Sequence, residues 1–133
     1  MLELTLRDYG PQVYTQVRQV ELVRLDDLAS ATLLPALIAT AALIALTAGV
    51  RERRFWLVVA AFVLLVAAFL TSVTVNLPIN SDQLDWSVQA PPPDWDGERD
   101  RWQVAHVVRT TAAVLAFGCL AAAALLGPPR ARR

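Results

Sequence analysis

The sequence predicts an all-α fold, an integral membrane bundle of three transmembrane helices preceded by a short N-terminal amphipathic helix. Three observations predict it. Hydrophobic residues make up 56% of the 133-residue chain, and a mean hydropathy of +0.44 suits lipid better than a soluble core. Three apolar stretches approach the roughly 20 residues that a helix needs to cross a bilayer. The charges between those stretches segregate, basic at one end of an alternating bundle and acidic at the other.

Residues 1–28 come first. Met1 to Arg24 carries alternating charges and no continuous apolar run, so no signal peptide is expected. A helix is predicted from Pro11 to Leu28, with Tyr14, Val17, Leu25 and Leu28 on one side and Arg18 and Arg24 as its polar residues. It either lies along the outer membrane surface or serves as a solvated connector.

The membrane domain covers 29–127, with spans at about 29–50, 55–76 and 104–126. The first contains Pro35, which starts or kinks the helix without forbidding a span. Phe55 to Ile79 and Thr110 to Pro129 are free of charge, which makes the other two spans clear. Arg51-Glu52-Arg53-Arg54 turns the first span into the second, and a basic tail over 128–133 follows the third. Both basic segments fall on one side, which the positive-inside rule makes cytoplasmic. The expected location is the plasma membrane, multi-pass, with the C-terminus cytoplasmic. The opposite face is acidic: Leu77 to Asp100 holds six acids against one base, net −5. Trp86, Trp95 and Trp102 suit a headgroup boundary there, and Pro91-Pro92-Pro93 keeps the loop extended.

Composition excludes several functions. A net charge of zero gives no reason to expect a nucleic-acid partner. All twelve basic residues are arginine, a bias read as genomic, and those outside the motifs below are expected on solvated surface. The single cysteine, Cys119, excludes an intrachain disulfide and a cysteine-cluster metal site, and is read as a buried bystander. One histidine makes no metal site, and Asp82 and Asp85 lack ligand spacing. No phosphate loop, nucleophile elbow, zincin helix or dinucleotide fingerprint occurs. Three short spans cannot line a transport pathway alone.

The chemistry gathers where the second span ends and the third begins. Polar residues thicken along Thr71-Ser72-Val73-Thr74-Val75-Asn76, and Ser72 and Asn76 share a helix side. They either cap and pin helices or serve a site. In Arg101-Trp102-Gln103-Val104-Ala105-His106-Val107-Val108-Arg109, Trp102, His106, Arg109 and Ala113 fall within about 60° of one another. An ionisable residue at the edge of the hydrocarbon, such as Arg109, faces protein or a watery cavity, or else snorkels to the surface.

These two segments resemble the anthrone oxygenase-like membrane proteins. The shared pattern is Asn-x-Pro-x-Asn closing one span, a tryptophan-containing loop, then Trp-x3-(Asn or His)-x2-Arg opening the last. Asn76, Pro78, Asn80, Trp102, His106 and Arg109 match it. Tyr14, Gln16 and Gln19 ahead of Pro35 are similar more weakly to the stretch before that family's second span. Against the usual four spans, this chain is read as lacking the first. The resemblance implies oxidation of a small hydrophobic aromatic of the polyketide type by molecular oxygen, with no cofactor. It implies His106 as base and Arg109 as anion stabiliser, with Asn76 and Asn80 on substrate oxygens and Trp102 stacked on the ring. The alternative is a non-catalytic small membrane subunit or scaffold, in which Arg109 and the asparagines pin two spans together. Expected partners are the lipid bilayer, a small hydrophobic molecule, and a second copy or another membrane subunit.

Overall fold

The computed structural model describes residues 9–49 and 52–126, without the side chains of residues 24–30. Its described backbone is all-helical. Helix α1 runs Pro11–Thr47, α2 runs Arg53–Thr71, and a π-helical turn at Ser72–Asn76 carries α2 into α3, Leu77–Leu84. Helix α4 runs Trp95–Leu125. The basic tail and Arg51 lie outside the described residues, as do the side chains of Arg24, Leu25 and Leu28.

One expectation is corrected at the front. The short amphipathic helix and the first apolar stretch form a single helix of 37 residues. No glycine or proline lies between Pro11 and Pro35 to interrupt it. Pro11 sits in the first turn, where its missing N–H is not needed. Pro35 sits inside the helix, at a cost of about 3 kcal/mol. Its neighbours Leu33, Ala36 and Leu37 pack on the core made by Ala61, Leu65 and Ala116, and hold that turn in place.

Helices α2 and α4 pack along most of their lengths, and α1 lies against α2. Alanines mark the crossings: Ala61, Ala68, Ala105, Ala116 and Ala123 are all buried. Small residues let helix backbones approach closely, which is how helices associate where no water drives them together. The outward faces are apolar instead, with Phe117 73% and Val63 60% exposed. The core helix of a soluble protein would have these faces covered; bare apolar faces of this kind suit lipid or a partner surface.

Two helical segments are long and apolar enough to cross a membrane, the continuous 32 residues Arg53–Leu84 and Trp95–Leu125. The described apolar part of α1, Ala31–Thr47, is shorter. At 1.5 Å per residue the 32-residue segment reaches about 48 Å, well beyond the roughly 30 Å hydrocarbon layer. The surplus is polar. It forms a head at one end of the bundle, where the start of α1, all of α3 and the start of α4 meet.

Candidate functional site

Proline begins the site. Pro78 has no N–H to offer the carbonyl of Thr74, and its ring crowds that carbonyl. The backbone widens there: the Leu77 N–H bonds back to the Ser72 carbonyl, five residues earlier. Hydroxyls of Thr71, Ser72 and Thr74 bond to carbonyls four residues back, at 2.8–2.9 Å. These hydroxyls are thereby bonded within their own helix. From the last residue of the π turn onward, Asn76, Asn80 and Gln83 are all buried on one side.

A guanidinium from α1 meets that strip. Arg18 Nε donates to Gln83 Oε1 and Nη2 to Asn80 Oδ1, each at 2.9 Å. Nη1 pairs with Glu21 at 3.1 Å. Asn80 Oδ1 also accepts from Trp102 Nε1 on α4, at 2.7 Å. One asparagine oxygen therefore joins three helices. The Arg18 guanidinium carbon lies 3.7 Å from the Trp102 ring centroid, a cation–π contact in a desolvated setting. Gln83 Nε2 donates to the Tyr14 hydroxyl at 3.2 Å. Gln19 Nε2 donates to the carbonyls of Gln83, Leu84 and Trp86, closing the end of α3.

From Trp102 the chain of contacts descends α4. The His106 ring stacks on Trp102, with centroids 4.7 Å apart and planes 18° apart. Arg109 Nη2 lies 3.0 Å from His106 Nδ1. A guanidinium only donates, so Nδ1 accepts and the imidazole proton sits on Nε2. Arg109 Nη1 reaches Ser72 Oγ on the facing helix at 3.4 Å.

Arg109 also forms part of the wall of a cleft of about 500 Å³ between α1, α2 and α4. Leu33, Ala36, Leu65, Ala113 and Phe117 give it an apolar lining, with Ser72 and Arg109 among its few polar groups. That volume lies within the range of small-molecule sites, and the pattern of apolar walls with a few polar groups is theirs.

The five residues singled out from the sequence are thus placed as follows. Asn80, Trp102, His106 and Arg109 form one contiguous run of contacts. Asn76 joins through its Nδ2, which donates to the Trp102 carbonyl at 3.3 Å, while its Oδ1 is buried without a hydrogen-bond partner. Of the five, only Arg109 lines the cleft. No group of three or more His, Cys, Asp or Glu is placed to hold a metal ion among the described residues.

Two participants, Arg18 and Gln83, were missed from the sequence, and Tyr14 was named only in the weaker resemblance and as part of an apolar side. Arg18 was expected on a solvated face and is 4% exposed, while Val20 and Val23 beside it face outward. Tyr14 and Gln83 are fully buried with it. The available signal was the stripe Tyr14, Arg18, Leu22 at four-residue spacing, on the same side of the helix as Val17 and Leu25.

What this arrangement defines is a class: a helical bundle with two helices long and apolar enough to cross a membrane, whose polar head is internally bonded and stands beside an apolar cleft. The family follows from comparison with known proteins. Residues 27–119 match the family model described as Anthrone oxygenase, which is most of the chain, and the chain belongs to that family. No curated protein matches it, and no solved structure does. The matched region contains both motifs and the cleft; Tyr14 and Arg18 lie ahead of it.

Proposed function

We propose that this protein oxidises an anthrone-type aromatic to the quinone with molecular oxygen, in the cleft beside Arg109. The observation that carries the proposal is one side chain with two surroundings. Arg109 is on the wall of the 500 Å³ apolar cleft and 3.0 Å from the sole histidine.

The chemistry asks for little more than that pair. The methylene of an anthrone is acidic because its anion delocalises onto the ring oxygen. Arg109 turns its guanidinium from His106 to that oxygen, where negative charge develops. His106 Nδ1, released from Arg109, takes the carbon-bound proton. The anion gives one electron to oxygen, and the resulting radical pair joins into a carbon–oxygen bond. The imidazolium returns its proton to the peroxide, which loses water as the second carbonyl forms. One oxygen atom ends in the quinone and one in water. Asn76, Asn80 and Trp102 hold the polar head in register for this step.

In this reading the first apolar stretch is a third span, and the arginine-rich ends lie in the cytoplasm. The protein is then a multi-pass resident of the plasma membrane, with its polar head on the outer face. The substrate reaches the cleft from the bilayer. A second copy or another membrane subunit would cover what the bundle leaves open.

Purified protein in lipid nanodiscs, given an anthrone, tests this by oxygen uptake and quinone absorbance against a protein-free control. One oxygen consumed per quinone formed, well above the control rate, is expected. His106→Ala should lower turnover by about 100-fold or more. Quinone formation no faster than the spontaneous reaction would remove the oxygenase reading.

A scaffold role has its own support, since Asn76 and Arg109 each cross from one helix to another. That reading predicts no ligand at all. Thermal stabilisation by an anthrone or quinone, lost on filling the cleft with Ala113→Phe, would count against it.

A further inference from the structure

We propose that Arg18 is a positioning residue, which sets the plane of the Trp102 indole and, through it, the orientation of His106. Arg18 lies ahead of the residues that the family model matches, and it does not line the cleft. It touches Trp102, and His106 stacks on that same ring.

The indole is held in two ways at once. Its N–H is anchored by Asn80 Oδ1 at 2.7 Å, and that same oxygen takes Arg18 Nη2 at 2.9 Å. Its face carries the guanidinium, 3.7 Å from the ring centroid. The guanidinium is in turn fixed by Gln83 Oε1 and Glu21 Oε2, so it cannot follow the ring if the ring turns. His106 stacks on that indole at 4.7 Å and 18°. A ring held at edge and face offers the imidazole one plane to lie against. Hence the orientation of Nδ1 toward Arg109 is set from α1, two contacts away.

The planar fork matters here, rather than the charge alone. Lysine carries the same charge but has neither two donors at fork spacing nor a flat face to lay on the indole. Arg18→Lys should therefore fail where a purely electrostatic role would let it succeed.

The chain has one histidine, so isotopically labelled histidine reports His106 alone in NMR of the whole protein in nanodiscs. In the wild type the ring current of Trp102 should shift the imidazole protons upfield. In Arg18→Lys and Arg18→Met they should move toward their position in Trp102→Leu, with helicity by circular dichroism unchanged. Where Arg18→Met does not fold, Gln83→Leu, which removes the acceptor for Arg18 Nε, should shift them in the same direction. An imidazole signal at the wild-type position in folded Arg18→Lys or Gln83→Leu overturns the proposal, whatever the turnover.

The consequence for catalysis rests on the oxygenase reading. A misaligned base should lower kcat by about 100-fold with KM unchanged in Arg18→Lys. Should the wild type show no turnover, that reading falls by itself, and the imidazole signal still decides the role of Arg18.

Discussion

Replacing Arg109 with alanine is expected to lower oxygen-dependent turnover by about 100- to 1000-fold, the usual cost of losing one donor to a developing oxyanion. The helical bundle should survive. Arg109 is half-buried and its cross-helix contact to Ser72 is long, at 3.4 Å, so the substitution removes little of the packing between α2 and α4. Arg109→Lys should recover part of the rate, because an ammonium at the cleft wall still faces the anion. Oxygen uptake and a thermal melt of the same sample separate the two effects. Turnover at the wild-type level in Arg109→Ala would end its role as anion stabiliser.

The largest effect on stability is expected at Asn80. Its side-chain oxygen accepts from both Arg18 and Trp102 in a buried setting. Asn80→Leu withdraws an acceptor from a buried cation and from a buried indole together, at a cost of about 2–5 kcal/mol. Asn80→Asp keeps the acceptor atom and places a negative charge against Arg18, so it should retain most of the stability. Thermal unfolding in detergent checks both. A melting point in Asn80→Leu indistinguishable from wild type would show that the three-helix junction is unimportant.

Much of the fold was legible because long runs without charge admit few readings. Phe55 to Ile79 covers most of α2, the π-helical turn and the start of α3, and the run that begins at Thr110 covers the second half of α4. The junction of α1 with its amphipathic start was not, since boundaries were sought where charge gave way to apolar residues. A helix stops for backbone reasons, and no residue between Pro11 and Pro35 supplies one.

The site was legible in part for an equally physical reason. Helical spacing groups Trp102, His106 and Arg109 on one side of their helix, and the family resemblance adds Asn76 and Asn80 across the loop. Arg18 and Gln83 are 65 residues apart, and no local period links them. On α1, Tyr14, Val17, Leu25 and Leu28 were grouped as the apolar side, and Arg18, about 40° from Tyr14, was set apart as polar. In this bundle Tyr14, Thr15, Arg18 and Leu22 are buried, while Val13, Val20 and Val23 are exposed. The arginine goes inward because it finds acceptors on α3, which no pattern within α1 announces.

The π-helical turn at Ser72–Asn76 has a consequence for how this chain tolerates indels. A turn of that kind holds one surplus residue. Deleting a single residue within it leaves four residues to make the turn that five now make, so ordinary winding returns and everything downstream keeps nearly its present orientation. Asn80 and Gln83 would still face Arg18 and Trp102, and Ala61 and Leu65 would stay seated against Ala116. A deletion in the ordinary winding of α2 would instead swing the polar head by about 100° against the greasy shaft, so the π turn is where this helix can lose a residue and keep its head seated.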